Sequence, residues 1–203
     1  MSKGRIMVVD DESILRMDIK EMLQEAGYDV VAEANNGETA IELAAKHIPD
    51  LIVMDVKMPK MNGMKAARII NRSFDIPTLL LTAYTEEELI AEAREAYIFG
   101  YLVKPITEKD LIPAVEVALG QAKRVKSLIG SIKEMEQKME MRKRVERAKG
   151  ILMDVYKLNE ERAYQMMRAY CMNKRKTMGE VAEDILKNRK LDAVADVSMH
   201  TTF

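Results

Sequence analysis

Five short apolar runs, separated from one another by stretches with helical periodicity, restrict what this chain can fold into more than any other feature of its sequence. The runs are Ile6–Val9, Asp29–Val31, Leu51–Met54, Thr78–Leu81 and Tyr101–Val103. Between the first two, Leu15, Ile19, Met22 and Ala26 recur at steps of three and four, and Ile41, Ala44, Ala45 and Ile48 do likewise before the third. Short strands alternating with amphipathic helices are the pattern of a parallel sheet wrapped by helices. Thr85 with Glu88 forms a capping-box signature for the helix after the fourth strand, and Thr107 is placed to cap the helix after the fifth. Residues 1–120 are therefore expected to form a five-strand βα domain.

The last of those helices runs on. Leu111, Ala114, Ala118, Gln121, Val125, Leu128, Ile132, Met135 and Met139 step by alternating three and four, a heptad a/d seam sustained over four heptads. Gly120 and Gly130 fall outside the seam and weaken the helix without interrupting it, while Pro113 in the second turn is a place for a kink. Such a seam fits either a surface helix packed on its own domain or a dimerising coiled coil over 111–140; its length favours the coiled coil. Past Met139 the apolar phase shifts to Met141, Val145, Ala148, Leu152 and Val155, which implies a different packing partner. Asn159 with Glu160 and Glu161 starts a further helix bearing Ala163, Met167 and Tyr170, and Thr177 with Glu180 caps another bearing Met178, Val181, Ala182 and Ile185. Residues 141–190 thus read as a three-helix unit, and 191–203 as a tail without clear period.

Charge separates the two parts. Residues 1–120 hold 13 lysines and arginines against 21 aspartates and glutamates, whereas 121–190 hold 19 against 10, although the whole chain is only −1. An acidic first half suits a cation site; a basic second half suits a polyanion, or is simply the solvated face of helices. A single cysteine, Cys171, cannot form an intrachain disulfide, and no apolar run approaches the roughly 20 residues of a membrane span. The expected setting is the reducing cytoplasm, with no membrane partner. His47 and His200 offer no metal pair and are incidental.

In open α/β sheets, ligands bind beyond the carboxyl ends of the strands. Here those ends carry Asp10-Asp11, Asp55, Thr82 and Lys104-Pro105, so three carboxylates, a hydroxyl and an ammonium gather on one rim. Singly, the acids could be helix caps or a loop carboxylate, Thr82 a turn hydroxyl and Lys104 a surface charge; together they form a site. Clustered carboxylates repel one another unless a hard cation sits among them, and Mg²⁺ suits oxygen ligands.

This set resembles the response-regulator receiver family over about residues 4–120: Asp10-Asp11 after an apolar strand, Asp55 in Asp55-Val56-Lys57-Met58-Pro59-Lys60-Met61-Asn62-Gly63, then Thr82-Ala83 and Lys104-Pro105. The resemblance implies a flavodoxin-like, doubly wound (βα)5 fold and a phosphoacceptor switch, not a turnover enzyme. It further implies that Asp55 takes a phosphoryl group from a sensor histidine kinase. Asp11, Asp55 and the Lys57 carbonyl would bind Mg²⁺, Asp10 would support the ion through water, and Thr82 and Lys104 would hold phosphoryl oxygens. Tyr101 matches the family's switch aromatic, though an aromatic on an edge strand is often only packing.

A second likeness lies in Val145-Glu146-Arg147-Ala148-Lys149-Gly150-Ile151-Leu152-Met153, followed by Asn159-Glu160-Glu161-Arg162-Ala163-Tyr164 and Met178-Gly179-Glu180-Val181-Ala182. Over roughly 135–188 these resemble the ANTAR family of RNA-binding antiterminator domains, and the whole chain is similar to the ethanolamine-utilisation antiterminators. The resemblance implies binding to hairpin RNA in nascent leader transcripts, and because the switch helices lead directly into the 111–139 seam, homodimerisation on phosphorylation is expected through it. Arg142, Lys143, Arg144, Arg147, Lys149, Arg168, Lys174, Arg175 and Lys176 could meet phosphates, and Tyr164 could stack on an unpaired base; Tyr170 lies on the apolar face. A DNA-binding regulator, with 159–188 as a helix-turn-helix, and a purely protein-binding output are the other classes open at this point.

Overall fold

The computed structural model of the chain describes residues 2–83 and 98–191. The expected helix that Thr85 and Glu88 would cap, together with residues 192–203 of the tail, His200 among them, lies outside the described residues; Leu191, the first residue of that tail, is buried in the core of the second unit. The chain divides between Ser127 and Leu128 into two compact units.

In the first unit, β1 (Arg5–Val9), β2 (Asp29–Ala34), β3 (Leu51–Asp55), β4 (Thr78–Thr82) and β5 (Ile98–Val103) form one parallel sheet of order β2-β1-β3-β4-β5. Its central strands are buried on both faces, which is why they read as continuous apolar runs and not as alternating ones. Ile6 and Val8 of β1 face Ile19 and Leu23 of α1 (Ser13–Glu25); Met7 and Val9 face the other way, towards Ala40 and Ala44 of α2 (Gly37–His47) and Ile70 of α3 (Gly63–Phe74). Leu111, Val115 and Ala118, from the first turns of α4 (Glu108–Tyr156), complete the α1 side. The order of the sheet reverses at β1, so the loops after β1 and β3 diverge and leave a crevice at their carboxyl ends.

Two close approaches shape the loop after β3. Asn62 caps α3 by accepting from the Lys65 N–H, and the Gly63 N–H returns to the Val56 carbonyl at 2.9 Å. A β-carbon on Gly63 would lie 1.9 Å from the Asp55 carbonyl oxygen, and one on Gly37 would lie 2.8 Å from that of Met61. Only glycine lets the loop fold back this tightly against the strand that carries Asp55.

Helix α4 is a single element with Pro113 inside it. Its seam has two fates. Leu111 and Ala118, joined by Val115, are spent on the helix's own sheet, whereas Leu128, Ile132, Met135 and Met139 are exposed. Val115 is off the heptad because a helix packed on a sheet keeps its natural period of about 3.6 residues and does not follow a 3.5-residue supercoil.

The second unit packs Ala148 and Leu152 of α4 against Ala163 and Met167 of α5 (Glu160–Lys174) and Val181, Ala182 and Ile185 of α6 (Met178–Asn188). Asn159 caps α5 through the Arg162 N–H, and the reciprocal capping box of Thr177 and Glu180 is formed at α6. Tyr170 joins this core as a partly buried neighbour, while Met141 and Val155 of the expected apolar face are exposed.

Two glycine-to-alanine substitutions should move stability in opposite directions. Gly63→Ala forces a backbone clash and should cost about 1–3 kcal/mol. Gly130→Ala meets nothing within 4 Å and should stabilise its helix by up to about 1 kcal/mol. Thermal unfolding followed by circular dichroism measures both.

Candidate functional site

The carboxyl ends of β1, β3, β4 and β5 bring the expected acid set together. The Asp10 N–H is held by the Ala34 carbonyl, the Val56 N–H by Leu81, and the Lys104 N–H by Thr82, so each chemical residue leaves the sheet from a fixed ladder. Carboxylate oxygens of Asp10, Asp11 and Asp55 all lie within 4.8 Å of one another. Asp10 is fully buried, Asp55 nearly so, and Asp11 is exposed.

Lys104 ties this cluster together. Its ammonium donates to Asp10 Oδ2 at 2.9 Å and stands 3.1 Å from Asp55 Oδ1. Glu12 Oε1 lies 3.6 Å away, a third carboxylate that motif reading overlooks although it directly follows the acidic pair. The other Asp10 oxygen accepts from the Glu12 N–H, and Arg16 donates to the Asp10 carbonyl. Asp10 is thus a fixed post, and Lys104 is a shared one.

The two ends of the Lys104–Asp55 pair feel it differently. Burial works against the Lys104 ammonium, but hydrogen bonds to Asp10 and Asp55 outweigh it and hold the lysine above its usual range. Burial also lifts the Asp55 carboxyl above the ordinary carboxylate range; Lys104 opposes this, while the charges of Asp10 and Asp11 add to it. One ammonium divided between two carboxylates leaves the site net negative, so the upward direction at Asp55 is the one that geometry supports. Three carboxylates converging with an excess of negative charge form an all-oxygen donor set that suits a hard divalent cation such as Mg²⁺.

Thr82, on the same rim, is buried, and Tyr101 on β5 is 46% exposed. Lys57 is exposed in the loop after β3.

In the second unit the expected polyanion contacts fall into two groups. Arg142, Lys143, Arg144, Arg147, Arg168, Lys174 and Arg175 are exposed, Arg175 in the left-handed cap of α5, and Tyr164 is 42% exposed. Lys149 and Lys176 are already engaged. Lys176 Nζ is 2.6 Å from Asp184. The Lys149 side chain is only 9% exposed, and its ammonium lies 2.8 Å from Glu146 and 2.7 Å from Glu160. Glu146, three residues earlier on the same helix, is a partner that spacing makes legible, whereas Glu160 is not, because that pair closes across a turn. Among the described residues no helix is long and apolar enough to cross a membrane.

Comparison with known proteins agrees with this division. The response regulator receiver domain model matches residues 6–116, and the ANTAR domain model matches residues 133–186. The transcriptional regulatory protein PdtaR of Mycobacterium tuberculosis is 42% identical over 183 residues, which cover 90% of this chain and 89% of that protein. The chemotaxis protein CheY of Bacillus subtilis is 34% identical over 116 residues, 57% of this chain and 97% of CheY. Among solved structures, the signal receiver domain of NarL from M. tuberculosis superposes with a TM-score of 0.55 at 32% identity, covering 61% of this chain and 98% of that one.

A carboxyl whose pKa rises on folding binds its proton more tightly in the folded chain. Its ionisation therefore costs stability above the raised value, and the cost vanishes below the ordinary carboxylate value. In metal-free buffer Asp55→Asn should accordingly melt higher than the parent at neutral pH, with the gain disappearing as pH falls through the carboxylate range. Melting curves of the two proteins between pH 7 and about pH 3.5 check the sign.

Proposed function

The chain belongs to the response-regulator family and carries an ANTAR domain as its output unit, and from that premise we propose that phosphorylation of Asp55 by a sensor histidine kinase pairs two copies and switches on binding of hairpin RNA in nascent transcripts. Binding there would prevent a terminator from forming, in the cytoplasm where transcripts are made. The observation that carries the reading is the meeting of Asp55, the acidic pair and Lys104 at one sheet rim.

The chemistry asks little of the protein beyond position and charge. An Asp55 oxygen attacks the phosphorus of a phosphohistidine, the phosphorus–nitrogen bond breaks, and the imidazole leaves. Asp11, Asp55 and the Lys57 carbonyl would hold Mg²⁺, with Asp10 acting through water; bound there, the ion supplies neutralisation of the phosphoryl oxygens. Lys104, already 3.1 Å from Asp55, transfers its ammonium from the carboxylate to a phosphoryl oxygen. The Thr82 hydroxyl turns towards another, and Tyr101, now exposed, follows into the space that is left. Receiver and output are both regulatory modules, so the chain is a switch and not a turnover enzyme.

Pairing falls to the exposed part of the α4 seam. Full burial of one Leu, Ile or Met side chain is worth about 1.5–3 kcal/mol. Association costs about 4–15 kcal/mol. Leu128, Ile132, Met135 and Met139 therefore support a dimer of moderate strength, one that a change in the receiver can tip. Val125 and Ile132 at one seam position with Leu128 at the other favour two strands. Arg142, Lys143, Arg144, Arg147, Arg168, Lys174 and Arg175 would then face phosphates, with Tyr164 free to stack.

Asp55→Asn keeps the shape of the side chain but removes the nucleophile, so labelling by acetyl phosphate or a kinase should fall to background. Labelling equal to the parent would end the assignment. Charged residues at Leu128 and Ile132 should hold the phosphorylated protein monomeric in sedimentation, while Asp55 labels normally. Phosphorylated parent protein should bind a stem-loop RNA in preference to duplex DNA at matched salt.

A further inference from the structure

Lys149 closes the basic stretch that begins with Arg142, where a lysine invites reading as a phosphate contact. Its surroundings say otherwise. The side chain is buried, and the ammonium ends between Glu146 of its own helix and Glu160, the first residue of α5, at 2.8 and 2.7 Å. The exposure is inverted from that of an ordinary surface pair: the lysine side chain is 9% exposed, while the two carboxylates are 65% and 71% exposed. Its charge is covered from outside by acids.

Helical spacing shows what this arrangement holds. Along α5, Glu160, Tyr164 and Arg168 follow at four-residue intervals and so share one face, the face that carries an exposed tyrosine and an exposed arginine. Along α4, Arg142 precedes Glu146 by the same interval. The Lys149 ammonium thus stands between a row that begins with Arg142 and a row that leads to Tyr164 and Arg168. Without it, two carboxylates beside those rows would be left unpaired, and the first turn of α5 would lose its ionic tie to α4.

We propose that Lys149 is a positioning residue for RNA: it does not touch the nucleic acid, but ties Glu146 of α4 to Glu160 of α5 and so fixes the orientation in which the Tyr164–Arg168 face of α5 is presented to a phosphate backbone. The proposal rests on the RNA-binding reading above. A hydrogen bond from the ammonium holds the depressed carboxyl of Glu160, in keeping with a clamp that is formed at neutral pH.

Contact and clamp differ in sign at Glu160. If Lys149 met phosphate, removing its competitor by Glu160→Gln would free the ammonium and tighten RNA binding. If Lys149 is a clamp, the same loss of a negative charge weakens binding instead. The experiment titrates full-length, acetyl-phosphate-treated protein against a synthetic RNA of two adjacent stem-loops over a range of salt. The proteins are the parent, Lys149→Met, Glu160→Gln, the double variant and Arg168→Met, with circular dichroism confirming that helix content is kept. The clamp predicts that Lys149→Met and Glu160→Gln each weaken binding by roughly three- to tenfold, the worth of a net hydrogen bond. Both should leave the salt slope at the parent value, and the double variant should be no weaker than Lys149→Met alone. Arg168→Met, as a contact, should lower the slope by somewhat under one. Tighter binding by Glu160→Gln, or a slope reduced by Lys149→Met, overturns the clamp while leaving RNA binding intact. A parent protein that binds no RNA overturns the antiterminator reading and this proposal with it.

Discussion

The ammonium of Lys104 is asked to balance more negative charge than it can. It reaches Asp10 and Asp55 together, with Glu12 close by, while Asp11 adds a further carboxylate at the rim. At an effective dielectric of about 20, like charges 4 Å apart repel by about 4 kcal/mol. Such a cluster persists only because β1 and β3 are anchored by buried side chains on both faces of the sheet and because ladder hydrogen bonds, including that from Lys104 to Thr82 at the edge strand β5, leave the strand ends nowhere to move. The glycines serve the same end, since Gly37 and Gly63 let the loop after β3 close on the strand that carries Asp55. A site built this way is electrostatically incomplete at rest, a donor set that suits a hard cation.

The helix α4 lives under two different constraints. Its first turns are part of a core, with Leu111, Val115 and Ala118 fully buried, and its last turns belong to another through Ala148 and Leu152. Between them the side chains from Lys126 to Arg144 are all exposed. Tertiary packing normally supplies most of a helix's stability, and here that support comes only at the two ends. The apolar residues left in the middle are what a second copy would cover.

Much of this was legible beforehand, and for identifiable reasons. The central strands announced themselves because burial on both faces demands unbroken apolar runs, and the rim set because strand ends are marked by the first polar residue after the run, as at Asp10, Asp55, Thr82 and Lys104. The starts of α5 and α6 were plain from Asn159 and from the Thr177–Glu180 box. Helix ends were harder to see: α2, α3, α5 and α6 stop at Ile48, Asp75, Arg175 and Arg189, each in the left-handed conformation without being glycine. The buried state of Lys149 could not be read from its neighbours, because a lysine among basic residues looks solvated, and its distant partner, Glu160, joins it only once the chain has turned at Lys157. The single heptad seam also hid a change of role, since the first residues that obey it are claimed by the sheet.

Gly120, Gly130 and Gly150 each have open space where a β-carbon would stand. No packing requirement among the described residues explains them. In the exposed part of the helix Gly130 raises the population of locally opened states, because the unfolded backbone of glycine gains more freedom than that of alanine. The amide protons of the central stretch of α4 are therefore the first in that helix to be lent to solvent, and their exchange with deuterium becomes a clock. It would run fast while the seam is bare and slow if a neighbouring helix covered it, so assembly through the seam would be written in the exchange of amides far from the acidic rim.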